Sequence, residues 1–209
     1  MKKKQVQRLV AFSLATMMTL QGLSVNASGQ VQVRTDSNTQ MSSDKEVVYV
    51  NTYDTSKRVH DFDANWKFYL GDADGAEAVN FDDSAWRTVS VPHDYSIEQE
   101  YTQSGEAESG YLPGGTGWYR KHFTLTEDMK DKEIRLDFGG VYMNATVWVN
   151  GTQLGTHPYG YTPFSFDITD YVKAGEENVI TVKVDHQTPS SRWYSGSGIL
   201  SQCGSHCDG

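Results

Sequence analysis

Four glutamates, Glu98, Glu100, Glu106 and Glu108, fall inside one polar stretch, residues 96–115. Paired carboxylates can cleave a glycosidic bond as acid and nucleophile, provided that a scaffold holds them at a fixed separation, about 5–5.5 Å for retaining chemistry. Nothing in this stretch has the periodicity of such a scaffold, so the four read as solvated loop charges. The six histidines, His60, His93, His122, His157, His186 and His206, lack the clustered or i, i+4 spacing of a metal centre. Cys203-Gly-Ser-His206-Cys207 brings two thiols and an imidazole close together. A closed structural zinc site takes four ligands, however, and the chain has no third cysteine. These counts predict no metal, no cofactor and no disulfide framework, with an unstructured tail over residues 200–209. There is no Gly-x-Ser-x-Gly elbow, and Gly114-Gly115-Thr-Gly117 opens a strand rather than a phosphate-cradling helix.

Charge narrows the partners. The 209 residues carry 18 Lys and Arg against 27 Asp and Glu, a formal charge of −9. Four of the 18 basic residues sit in the first eight positions, so the remainder of the chain sets 14 against 27. Nucleic acids and anionic membranes are bound by concentrated Lys and Arg, so neither is expected as a partner. Lys2, Lys3, Lys4 and Arg8, an apolar stretch from Leu9 to Leu23, and the small residues Val25-Asn-Ala27 have the three-part pattern of a secretory signal peptide. The expected localisation is secreted or cell-surface. Ser13, Thr16, Thr19 and Gln21 dilute the apolar stretch below the ~20 residues that a membrane anchor needs. A polar leader, residues 28–56, holds too little apolar surface to fold.

The rest alternates with period two and lacks a helical period. Trp66–Leu70, Arg87–Val91, Trp118–Leu125, Glu133–Phe138, Ala145–Val149, Phe164–Ile168 and Val179–Val184 read as short strands. Tyr119, Lys121, Phe123 and Leu125 share a face, with Lys121 expected at its edge. Asn150-Gly151 is a strong hairpin signal because both turn positions require positive φ. Residues 82–86 and 169–173 are long enough for one helical turn each. The pattern predicts an all-β fold, a β-sandwich of the jelly-roll type first and a lipocalin-like barrel second.

Several phrases recur in order across residues 57–199: Phe81-Asp-Asp-Ser-Ala-Trp86, Val91-Pro-His-Asp-Tyr95, Gly117-Trp-Tyr-Arg-Lys121, Val141-Tyr-Met-Asn-Ala-Thr-Val-Trp-Val-Asn-Gly151, Asp167-Ile-Thr-Asp-Tyr171 and Ser191-Arg-Trp-Tyr-Ser-Gly-Ser-Gly-Ile199. Together they resemble the N-terminal sugar-binding domain of glycoside hydrolase family 2, in particular that of secreted bacterial β-galactosidases. The resemblance implies a full enzyme that hydrolyses terminal β-galactosides with retention. Its immunoglobulin-like domain and (β/α)8 barrel would follow this domain, and the barrel would carry both catalytic glutamates. A barrel alone takes about 200–250 residues, so no catalytic residue is expected in this chain and no turnover from it alone. The missing catalytic domain and a carbohydrate are the implied partners. After Ile199 the family pattern gives way to Leu200-Ser-Gln-Cys-Gly-Ser-His-Cys-Asp-Gly209, which predicts a shifted or shortened reading frame.

The resemblance also implies a substrate-binding set. Asp94 occupies the position that reaches the rim of the barrel's sugar pocket, where a carboxylate accepts directional bonds from hydroxyls; its alternative is an Asx turn. Arg192 stands where relatives place a polar residue against substrate, or else forms a surface ion pair. Trp193 and Tyr194 could stack on an apolar sugar face or be exposed interface aromatics. Two other functions remain open: a freestanding carbohydrate-binding module and a ligand-free structural surface domain.

Overall fold

A computed structural model describes residues 58–208 and, nearer the N-terminus, the backbone of two strands, β1 (Leu23–Val25) and β2 (Val31–Val33). These pair antiparallel, Leu23 opposite Val33, in a separate unit, Met1–Val47. The expected signal peptide and leader otherwise lie outside the described residues. β2 falls within the leader, where the sequence predicts no regular structure; Val31-Gln-Val33 supplies a short alternation.

The main body holds β3 (Val59–Asp61), β4 (Trp66–Leu70), β5 (Arg87–Val89), β6 (Gly115–Thr124), β7 (Glu133–Phe138), β8 (Val141–Tyr142), β9 (Ala145–Val149), β10 (Thr152–His157), β11 (Phe164–Asp167), β12 (Glu177–His186), β13 (Gly198–Ile199) and β14 (Cys203–Asp208). One sheet runs β10-β9-β12-β6-β4-β5 and the other β11-β7-β14-β3, while β13 and β8 pair separately. Both sheets are open at their edges, so the molecule is a sandwich and not a closed barrel. Its backbone is the long antiparallel pair β6–β12, in register from Glu177 opposite Thr124 to His186 opposite Gly115. Asn150 and Gly151 take φ values of 50° and 80°, so β9 returns directly as β10. The Asn150 side chain also accepts from the backbone N–H of Val179 at 2.9 Å, tying the turn to β12.

Alternation delivers the core. Trp66, Phe68, Tyr119, Phe123, Val147, Val149, Ile180 and Val182 of one sheet share a core with Ile134, Leu136 and Phe138 of the other and with Phe62, which follows β3. Each such side chain contributes about 1.5–3 kcal/mol through removal from water.

Four expectations are corrected here. Lys121 is fully buried rather than at a face's edge. Its Nζ donates to the Ala64 carbonyl at 2.6 Å and lies 5.0 Å from the Phe62 ring, and burial lowers its pKa to about 8. Residues 203–208 are the ordered strand β14, between β7 and β3, instead of an unstructured tail. Cys203, Ser205 and Cys207 face inward, and the Ser205 hydroxyl is buried without a partner. Residues 82–86 form no helix; Asp82 accepts from the Ser84 N–H at 3.0 Å in a tight turn. Of residues 169–173, only Thr169–Tyr171 forms a 3-10 turn.

The outer face of the six-stranded sheet is covered by the segment between β4 and β5. Arg120 projects from β6 into it, its Nε donating to Asp83 at 2.7 Å and its Nη1 to the carbonyl of Ala78 at 3.0 Å. His122 Nε2 contacts the same Asp83 oxygen at 2.9 Å. Beside them Trp118 stacks on Trp148 with centroids 5.8 Å apart and packs with Ala76 and Trp86. Trp118 therefore belongs to an interior strand, β6.

Candidate functional site

Two loops at one end of the sandwich meet beside the β13–β8 pair: the segment following β5 and the segment following β12. Backbone bonds join them, His93 N–H donating to the Ile199 carbonyl at 2.8 Å and Tyr95 N–H to that of Ser197 at 2.9 Å. The seam is tight. Gly198 has φ 128°, and a Cβ there would lie 2.4 Å from both the His93 carbonyl and the Tyr119 hydroxyl, so only glycine fits.

Asp94 sits half-buried on this seam. Its Oδ1 accepts from the N–H of Ser96 at 3.0 Å and from that of Ser197 at 2.9 Å, and its Oδ2 accepts from the Tyr194 hydroxyl. The Asx turn and the candidate site are thus the same carboxylate: the turn bond to Ser96 orients it, and Ser197 and Tyr194 hold it from the other loop. Burial, followed by this carboxylate, pushes the Tyr194 phenol well above its ordinary pKa. None of the three donors carries a charge, so no counter-ion is paired with the carboxylate and its oxygens retain spare acceptor capacity.

Of the other predicted residues, Tyr194 joins Asp94 directly, whereas Arg192 is exposed and makes no ion pair among the described residues. Trp193 is 65% exposed and Tyr101, on the facing loop, 75%. Glu98 pairs with Arg87 and contacts His93 Nε2 at 3.2 Å, a structural use; among the described residues Glu100, Glu106 and Glu108 form no ion pair. His93 is buried against Tyr119, Nδ1 to hydroxyl 2.7 Å, and burial lowers its pKa.

Sequence reasoning missed the layer beneath Asp94. The Ser96 hydroxyl donates to the Pro113 carbonyl at 2.8 Å and meets the Ser197 hydroxyl, which meets His186 Nδ1. Ser96 and Ser197 lie in unrelated segments, and no spacing rule connects them. Only the Gly-rich phrase around Ser197 hinted at a tight backbone approach. Both cysteines are buried and inward-facing on β14, while His206 points outward to Asp137. Strand alternation therefore separates the three groups that looked clustered in sequence.

A family model described as "Glycosyl hydrolases family 2, sugar binding domain" matches residues 59–203. The chain belongs to glycosyl hydrolase family 2. A β-galactosidase of Bacteroides ovatus, BoGH2A, is 48% identical over 142 residues, which cover 66% of this chain and 17% of that protein. A β-glucuronidase of Formosa agariphila is 36% identical over 138 residues, covering 63% and 14%. Among solved structures, a family 2 member from Bacteroides cellulosilyticus superposes with a TM-score of 0.71 at 43% identity, covering 72% of this chain and 20% of that one. The chain thus spans between 14% and 17% of the length of these two curated relatives. The family 2 match runs to Cys203, past Ile199 where the motif resemblance stops, and it includes the start of β14.

Proposed function

We propose that this chain is the sugar-facing N-terminal module of a secreted family 2 β-galactosidase, with residues 1–27 its signal peptide and Asp94 its contact to the sugar. The observation that carries this reading is the Asp94 carboxylate, oriented from both loops by uncharged donors, with exposed Trp193 carried on the opposite loop. Such a carboxylate accepts charge-assisted bonds from vicinal hydroxyls. Trp193 and Tyr194 would stack on the apolar sugar face, and Arg192 would add donors from above. The preference for galactose over glucuronic acid is supported by the similarity to the Bacteroides ovatus β-galactosidase. In this reading the acid and nucleophile belong to a catalytic domain elsewhere, and the module shapes and shields their pocket. A rim group without them binds weakly and turns nothing over.

The test uses two measurements. The purified chain is assayed with a chromogenic β-galactoside, and release at the rate of buffer is expected; release above buffer overturns the reading. The chain joined to a family 2 catalytic continuation is then assayed with Asp94→Asn, where a fall in kcat/KM of about tenfold or more is expected for a lost charged contact. An unchanged value removes Asp94 from the site. The exposure of Trp193 and Tyr101 also favours a second reading, a freestanding glycan-binding module. Calorimetry separates the two, since millimolar or tighter binding of galactosides by the isolated chain belongs to the module.

A further inference from the structure

The hydrogen-bond chain beneath Asp94 has a direction that can be deduced. The Pro113 carbonyl can only accept, so Ser96 spends its single proton there, at 2.8 Å. Ser96 Oγ must then accept from the Ser197 hydroxyl, and Ser197 Oγ in turn from His186 Nδ1–H. That leaves the His186 Nε2 lone pair facing the Ser190 hydroxyl at 2.8 Å. The Ser190 proton therefore goes to Nε2, and the Tyr142 hydroxyl, 3.2 Å away, donates to Ser190 Oγ. One imidazole tautomer is selected by a carbonyl three hydrogen bonds away.

The ring is also held mechanically. Tyr142 packs against it edge-on with centroids 5.0 Å apart. On the other side Gly114 approaches so closely that a Cβ would lie 3.1 Å from His186 Cγ. His186 is buried while Ser190 is exposed. A base with a fixed tautomer, oriented by a third residue and aimed at an accessible hydroxyl, is the arrangement that activates a serine nucleophile.

We propose that Ser190 is an acyl-accepting nucleophile with His186 as its general base, a site that takes short acyl groups from carboxylic esters. Ser190 Oγ forms a bond to the ester carbonyl carbon and the bond from that carbon to the leaving oxygen breaks. The hydroxyl proton passes to His186 Nε2 and from there to the leaving alcohol or phenol. The products are O-acyl-Ser190 and the free alcohol, with no oxidant or metal required. Burial is the main influence on the His186 pKa and lowers it, against the opposing charges of Asp94 and Asp185. The imidazole is therefore neutral, and able to accept the proton, at pH 7.

The test is incubation of the full 209-residue chain with 4-nitrophenyl acetate. Expected are a burst of 4-nitrophenol, a mass gain of one acetyl group, and mapping of that group to Ser190. Ser190→Ala, at an exposed position where folding is not at stake, abolishes the burst. His186→Gln slows labelling by about 100-fold or more, as loss of a general base does. Ser197→Ala, which frees the tautomer but keeps the base, slows it by less. The wild-type rate rises with deprotonation of His186, through a midpoint below its ordinary value of 6.5, and is flat beyond. Acetylation confined to lysines or the N-terminus, an unchanged rate in Ser190→Ala, or a rate that climbs without a plateau into the alkaline range each overturns the proposal.

Discussion

Asp83 and Asp94 flank the same short strand, β5, yet their surroundings give them opposite tasks. Asp83 belongs to the segment covering the six-stranded sheet, and Arg120 Nε and His122 Nε2 converge on one of its oxygens at 2.7 and 2.9 Å. Burial alone would raise its pKa, but the bonds from His122 and Arg120 outweigh that and hold it below the ordinary value. Asp94 is bound by two backbone N–H groups and a phenol, all uncharged. A carboxylate neutralised by cations is a structural clamp, with little charge left to offer a ligand. One oriented by neutral donors has no counter-charge beside it and retains acceptor capacity. The identity of the donors, not the number of contacts, separates the two roles.

That contrast can be broken at either end. The largest effect is expected for Asp83→Ala, which leaves Arg120, fully buried, without its counter-charge. Removing one partner of a buried pair costs about 3–5 kcal/mol, read as a lower denaturant midpoint at unchanged slope. A loss below 1 kcal/mol would mean that Asp83 is not the clamp. Asp94→Asn is expected to cost under about 1 kcal/mol of stability, since the amide oxygen can still accept from Ser96 and Ser197. Under the proposed function its effect is expected on sugar binding instead. Tyr194→Phe removes the third donor at a surface position and should move stability by about 0.5 kcal/mol or less. It should still weaken the binding of sugar through a less firmly held carboxylate, and unaltered binding would show that the two backbone donors suffice.

Histidine titration sharpens the comparison with the smallest perturbation. Hydrogen bonding to Asp83 is the main influence raising the His122 pKa, whereas burial lowers those of His93 and His186 on the Asp94 side. The signs follow. His122 contributes stability that is fully present below its unfolded value of 6.5 and is lost as pH rises through its higher folded value. His93 and His186 act oppositely, favouring the unfolded state as pH falls below 6.5 and toward their lower folded values. Imidazole resonances followed by NMR should place His122 above 6.5 and the other two below; the reverse order would dissolve the distinction between the regions.

Much of this architecture was legible in the residues. β4 and β7 have the limits that alternation predicts, and Asn150-Gly151 makes its hairpin. Asp94 and Tyr194, named from a resemblance, do meet. β14 was not legible, because Cys-Gly-Ser-His-Cys-Asp has no apolar alternation and few strand-favouring residues. Its conformation comes from the slot between β7 and β3, where Cys203 to Asp208 find partners along β7 and Gly204 to His206 along β3. Lys121 was misplaced for a related reason: alternation assigns it to the inner face, and its charge argues for an edge. What resolves the conflict is the Ala64 carbonyl within 2.6 Å, a contact between residues far apart in the chain.

Residue order by itself determined most of the longer strands, the Asn150-Gly151 turn and the family, because these depend on periodicity and on conformational limits that act over a few neighbours. Only the tertiary structure decided which aspartate is spent on cations and which meets neutral donors alone. It also decided which way the protons point beneath the second. Those properties depend on the donors that arrive from distant segments, and local spacing carries no record of them.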